Sequence, residues 1–322
     1  MAILQPNNTY ELNGVKVCEK IIPDGTRWKS TTKAAAAGFA PNSLYKKQQK
    51  LTKNSGRPMS ITIHNTEDLD NVHDDAEQYT RATYNENMGS ARIHFYVDDV
   101  GAWQNLKAGT GMCENDPEGS AEVSWHAGDG SASDGGNMTS LSIEIIMGGE
   151  PDKDAKARDN GARLAAWLLW KHGLDISALV THTYWVNKSA GKHFDDVDEQ
   201  CTNPIYGKKW CPVYIFKSTT PEYARSNWKV FKKLVKEYLD ECYAADKDAS
   251  KGDETINPYL VKVLTDKVYI RSGAGTDNAV TGSIIAGGVF TIVAEACGYG
   301  AKLWGKLKSG MGWISLDDTR KL

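Results

Sequence analysis

Two histidines end apolar strand candidates in this 322-residue sequence, His64 in ITIHNT and His182 in LVTHTY. A strand end is where a rigid sheet can present a ligand to a cleft without flexing. Between them, Glu144 sits in SIEII, a carboxylate inside an otherwise apolar strand. Burying such a group is costly unless it is paired, protonated or used. The segment KKWCP at 208–212 sets Cys211 before a proline, with Lys209 two residues earlier. A neighbouring ammonium stabilises a thiolate, the form that binds zinc. Singly, each histidine reads more readily as a satisfied core or surface residue. Together, two His and one Cys match the three-ligand, open-position zinc site used in hydrolysis. Their separations, 118 and 29 residues, exclude a zinc finger, whose ligands come in close pairs.

These residues must be held by a sheet. MSITIH (59–64), ARIHFYVD (91–98), LSIEIIM (141–147) and LVTHTY (179–184) are the strand candidates. A helix is predicted over 154–172, with Ala162, Ala165, Ala166, Leu168 and Leu169 around Trp167 and Gly173 beyond its end. Strands alternating with helices predict an α/β domain, a mixed central sheet flanked by helices. Pro221 opens a further helix to Tyr243, with Trp228, Phe231, Leu234, Val235, Tyr238, Leu239 and Cys242 on one stripe. The polar stretch AADKDASKGDETINP (244–258) then reads as a seam. Beyond it, short apolar stretches at 259–264, 268–270, 284–285, 289–294 and 312–316 predict a small all-β barrel. The expected organisation is therefore a domain over 1–245, a linker over 246–258 and a barrel over 259–322. The first 50 residues carry AAAA at 34–37 and KKQQK at 46–50, with no usable motif.

Composition narrows the function classes. A net charge of −3 with interspersed signs gives no general electrostatic reason to bind nucleic acid. No apolar run approaches the roughly 18–20 residues that span a bilayer. The N-terminus lacks a basic region followed by an apolar core, so no ordinary secretory signal is expected. Six cysteines are too sparse for a disulfide scaffold. Cys18, Cys113, Cys242 and Cys297 read as buried or incidental thiols.

The order ITIHNT, ARIHFYVDD, SWHAGDG, GGN, SLSIEI, THTYW and KKWCP, over about 58–216, resembles the zinc-dependent N-acetylmuramoyl-L-alanine amidases. More narrowly it resembles the amidase-2 family, related to peptidoglycan recognition proteins and common as phage and prophage endolysins. The resemblance implies His64, His182 and Cys211 as zinc ligands and Glu144 as the catalytic glutamate. It puts Lys209 at the position of the lysine before the third ligand. Trp125, His126 and Asn137 would line the substrate groove, and His94 would face the same cleft. The stretch between His182 and Cys211 is longer than the family usually shows, and it contains His193 and Cys201 as competing ligands. Some relatives place a catalytic Tyr where this chain has Ile93, so catalysis is expected to depend on Glu144. The implied reaction is zinc-assisted hydrolysis of the amide between N-acetylmuramic acid and L-alanine.

VYIRSGAGTDNAVTGSI (268–284) and GWIS (312–315) resemble bacterial SH3-like (SH3b) domains over about 259–320. That implies a cell-wall anchor, whose tether raises local substrate concentration. The implied partner is bacterial peptidoglycan. Without a signal, the protein is expected to accumulate in the cytoplasm and act at the wall after release. A non-catalytic wall-binding protein and a zinc peptidase cutting within the stem peptide are the alternatives.

Overall fold

The computed structural model describes residues 4–23, 50–51, 56–67, 75–85, 91–129, 132–205, 209–251, 257–276, 278–298 and 301–322. AAAA at 34–37 and residues 46–49 fall outside this set. The chain divides into two compact units, Met1–Cys242 and Tyr243–Leu322.

Unit 1 is built on a mixed seven-stranded sheet. Its strands are β1 (Asn8–Leu12), β2 (Val15–Glu19), β3 (Ser60–Glu67), β4 (Phe95–Val97), β5 (Ala102–Gln104), β6 (Ser140–Met147) and β7 (Leu179–Thr181), in the order β1-β2-β5-β4-β6-β3-β7. β4, β6, β3 and β7 run parallel, β2 and β5 form a further parallel pair, and antiparallel pairs β1/β2 and β4/β5 complete the sheet. The central strand β6 is a nearly unbroken buried run, as expected of a parallel strand covered on both faces. The helices are α1 (Ala76–Tyr84), α2 (Gly136–Thr139), α3 (Pro151–Lys171), α4 (His182–Ser189), α5 (Val197–Thr202), α6 (Val213–Phe216) and α7 (Pro221–Lys251).

α3 buries Ala157, Ala162, Leu164, Ala165, Leu168 and Leu169, an apolar stripe at helical spacing. It carries Gly161 where it lies closest to the sheet: a Cβ there would come within 2.3 Å of Ile145 Cδ1. The predicted stripe of α7 joins the same core through Trp228, Phe231, Val235 and Leu239. Truncating a side chain as large and as fully buried as Trp228 costs about 3–5 kcal/mol.

Three features of the unit 1 sheet differ from the sequence expectations. The second strand is only Phe95–Val97, so His94 precedes it. The fourth is only Leu179–Thr181: the Thr181 side chain accepts the Tyr184 N–H and starts α4, so His182 opens a helix instead of lying in a strand. The β1/β2 hairpin was not anticipated, although Asn13-Gly14 between alternating residues is a strong turn signal; their φ values are 49° and 80°.

Unit 2 is an all-antiparallel seven-stranded sheet, β8 (Tyr259–Val263), β9 (Lys267–Arg271), β10 (Val280–Ile285), β11 (Val289–Gly298), β12 (Ala301–Leu307), β13 (Trp313–Ser315) and β14 (Thr319–Lys321). The order is β10-β9-β13-β12-β11-β8-β14. Register shifts in β10 and β11 bend the strands. Val261, Val263, Val268, Ile270, Ile284, Ile292, Leu307 and Ile314 form its core. This architecture is consistent with an SH3-like domain. β12 and β14 were not foreseen. α7 continues to Lys251, eight residues past its expected end at Tyr243, because AADKDASK contains no glycine or proline to stop it.

Candidate active site

The site assembles on one face of the parallel strands. Register pairs His64 of β3 with Glu144 of β6, so both side chains leave the sheet on the same side. His64 Nδ1 and Glu144 Oε2 are 4.0 Å apart. His182, first residue of α4, brings its ring centroid to 4.8 Å from that of His64. Cys211 completes the cluster with its Sγ 3.8 Å from His64 Nδ1. One ligand atom each from His64, His182 and Cys211 lies within 4.8 Å of the other two. Cys201 sits in the core, its backbone carbonyl bonded to Thr181 Oγ1, and His193 is exposed. Neither joins this cluster among the described residues.

Two residues without a sequence signature hold the Cys211 segment in place. Thr183 Oγ1 lies 2.5 Å from the Lys209 carbonyl and accepts the Cys211 N–H at 3.2 Å, while the Thr183 N–H donates to the Cys211 carbonyl at 3.3 Å. Asn65 Oδ1 accepts the Tyr214 N–H at 3.1 Å. Both follow a cluster histidine directly in sequence. Their role requires the 209–214 segment to be packed nearby, which one-dimensional spacing cannot reveal.

The hydrogen bonds also assign the nitrogen that His64 offers. His126 Nε2 lies 3.2 Å from the Gly136 carbonyl, which can only accept, so Nε2 carries the proton. His126 Nδ1 therefore accepts, and it lies 2.9 Å from His64 Nε2. His64 Nε2–H donates that bond, leaving a bare lone pair on Nδ1 towards Cys211 and Glu144. Burial lowers the basicity of His64, and the proximity of His182, His126 and the Lys209 ammonium further disfavours a proton there. Burial, then Lys209, brings His182 to about 3. Both rings are neutral at pH 7, the state in which imidazole binds a metal. Two imidazoles and a thiol converging from three separate elements fit a borderline-soft divalent ion such as zinc.

Glu144 is the unusual acid. Its side chain is 15% exposed. Burial raises its pKa to about 8, and the Lys209 ammonium pulls the other way. A carboxyl balanced in that range can both hold and release a proton near neutrality. Lys209 itself is exposed.

The four residues expected to line a substrate groove are all buried. His94 is fully buried. Its Nδ1 accepts the Ser142 N–H at 3.0 Å, and its Nε2 lies 2.9 Å from the Glu122 carbonyl. Both ring nitrogens are thus engaged by Ser142 and Glu122. Asn137 is 2% exposed, and its Oδ1 accepts the N–H groups of His126 and Ala127, each at 2.7 Å. It shapes the loop that presents His126. Trp125 and His126 are 7% exposed, and His126 Nδ1 meets His64 Nε2. Ile93 lies in an apolar cluster with Ala76, Tyr96 and Ile146.

Convergent donors beside a buried acid and an ammonium are the parts from which a hydrolytic site can be built. Residues 54–213 match the family model Amidase_2, N-acetylmuramoyl-L-alanine amidase. The chain is 33% identical over 140 residues to the N-acetylmuramoyl-L-alanine amidase XlyA of Bacillus subtilis (strain 168), an alignment covering 43% of this chain and 41% of that protein. It thus spans about two fifths of the length of the curated relative it matches. Among solved structures, the catalytic domain of XlyA is similar at 25% identity and a TM-score of 0.42, covering 68% of this chain and 98% of that one. The catalytic domain of PlyG is similar at 21% identity and a TM-score of 0.43, covering 69% and 94%.

Proposed function

We propose that this protein is a peptidoglycan hydrolase of the endolysin type, cutting the amide between N-acetylmuramic acid and L-alanine. The observation that carries the reading is the convergence of His64, His182 and Cys211 beside Glu144, within a segment that matches the Amidase_2 family model. His64, through Nδ1, His182 and Cys211 would hold a zinc ion. When bound, that ion supplies Lewis acidity, activating water at neutral pH and polarising the scissile carbonyl.

The chain's own residues do the rest. Glu144, as carboxylate, takes the proton of the attacking water on Oε2 and later returns it to the departing amine of L-alanine. Lys209 donates from Nζ to the oxyanion developing on the lactyl carbonyl, a type of contact worth about 3–4 kcal/mol where it has been removed. Asn137 fixes the His126 loop, and His126 fixes the tautomer of His64. Unit 2 would act as an SH3b-type wall anchor, supported by its antiparallel sheet.

The test is digestion of purified wall with and without a chelator, followed by mapping of the new ends. Metal-dependent appearance of L-alanine amino termini on an intact glycan supports the proposal. New amino termini within the stem would make it a peptidase. Wall binding with no new ends would make it a recognition protein. Among the described residues no helix is long and apolar enough to cross a membrane, and the partner proposed is the wall itself.

A further inference from the structure

A cleft of about 890 Å³ opens beside Lys209, between the N-terminal half of α3, the end of β6 and the segment from Lys209 to Thr219. Its charges are unbalanced. Arg158, Lys209 and Lys217 line it against a single acid among the described residues, Asp154. That acid is already committed: Asp154 Oδ1 and Oδ2 accept the N–H groups of Gly148 and Gly149, each at 3.0 Å, and so brace the turn from β6 into α3. Neither Arg158 nor Lys217 has an ion-pair partner among the described residues. The Nε of Arg158 is also buried without a hydrogen-bond acceptor. That Nε is sealed from solvent and cannot itself meet a ligand, so the part of Arg158 that lines the cleft acts through the terminal nitrogens of its guanidinium. A second hollow of about 320 Å³ shares Arg158 and Lys217; its further charges, Lys233 and Glu237, pair with each other at 3.8 Å and add no net charge.

We infer that this cleft is a carboxylate subsite, which receives the acidic stem peptide on the leaving-amine side of the scissile bond. The inference rests on the amidase reading for the identity of the peptide. Trp210, Val213 and Tyr214 give the cleft apolar walls, suited to a peptide's side chains. Arg158 supplies a planar fork for a carboxylate and Lys217 a second, mobile charge. The consequence is specificity: stems with free carboxylates are preferred over stems whose carboxylates are amidated.

The test uses the full chain and two soluble muramoyl peptides, one with free and one with amidated stem carboxylates. Expected is a kcat/KM preference for the acidic stem of about tenfold or more, carried in KM and shrinking as salt rises. In Arg158→Gln with Lys217→Asn that ratio falls towards one. Asn is chosen because Lys217 has a φ of 52°, which Asn tolerates. Calorimetric titration with the free acidic stem peptide requires no catalysis, and its binding should weaken in the same double variant. A wild-type ratio of one, a preference that survives the double variant, or equal displacement of the peptide by a phosphate polymer of the same charge overturns the subsite. Absence of any cleavage while the free acidic stem still binds through Arg158 and Lys217 would sink the amidase reading and leave the subsite standing.

Discussion

The two units of this chain handle polar groups in opposite ways. Unit 1 buries His64, His94, Asp116, Glu122, His126, Asn137 and many more polar residues, whereas every buried residue in the described part of unit 2 is apolar. An apolar core is sufficient to hold a small sheet together. Buried polar groups contribute less to net stability, since each exchanges water for a protein partner. Their concentration around β3, β4 and β6 is the signature of a region that positions chemistry. In unit 2, function has to lie on the surface.

Four expected outcomes probe that contrast. The largest effect is at Glu144: Glu144→Gln keeps the metal and loses turnover by on the order of 10²–10⁴, measured as release of stem peptides. Next is His126, which touches no substrate atom in this account. His126→Phe removes the acceptor that fixes the His64 tautomer, and metal affinity falls about 10–100-fold in a chelator competition. A loss of activity at unchanged affinity would return His126 to the substrate groove.

The third outcome concerns acid stability. Burial lowers the pKa of His94 to about 4 from the usual 6.5, opposed only by its bond to the Glu122 carbonyl. The folded state favours the neutral ring, so the unfolded chain takes up the proton first. The contribution of His94 is complete above pH 6.5 and is lost as pH falls towards 4, by at most about 3 kcal/mol. His94→Gln should therefore show a shallower stability loss than wild type between pH 6.5 and 4, by chemical denaturation of the metal-free protein. Parallel curves would contradict this. The smallest catalytic effect belongs to unit 2. A chain ending at Lys251, which keeps all of α7, should cleave soluble muramoyl peptides as fast as the full chain. It should lyse walls less efficiently at low enzyme concentration.

Much of this was legible because the chemistry is carried by residue types that are costly where they stand. A glutamate in SIEII and a histidine in ITIHNT announce themselves against apolar neighbours, and the α7 stripe follows from helical spacing alone. Local competition hid other features. LVTHTY reads as a strand from its β-branched residues, yet Thr181 caps a helix and turns His182 out of the sheet. His94, Trp125 and Asn137 look like ligand-binding groups by type, but their burial and partners are tertiary facts. The roles of Thr183 and Asn65 are invisible until the 209–214 segment is docked. The Asn13-Gly14 hairpin is different, since its turn signal stands in the sequence itself.

The central claim is that His64, His182 and Cys211 hold one divalent ion, with Cys201 and His193 taking no part. Its most direct measurement is the zinc-to-protein ratio by elemental analysis after equilibration with zinc and desalting. One zinc per chain in wild type, Cys201→Ala and His193→Ala, and none in Cys211→Ala, is the expected result. A Cys211→Ala protein that retains a full equivalent, or a Cys201→Ala or His193→Ala protein that loses it, would contradict the account.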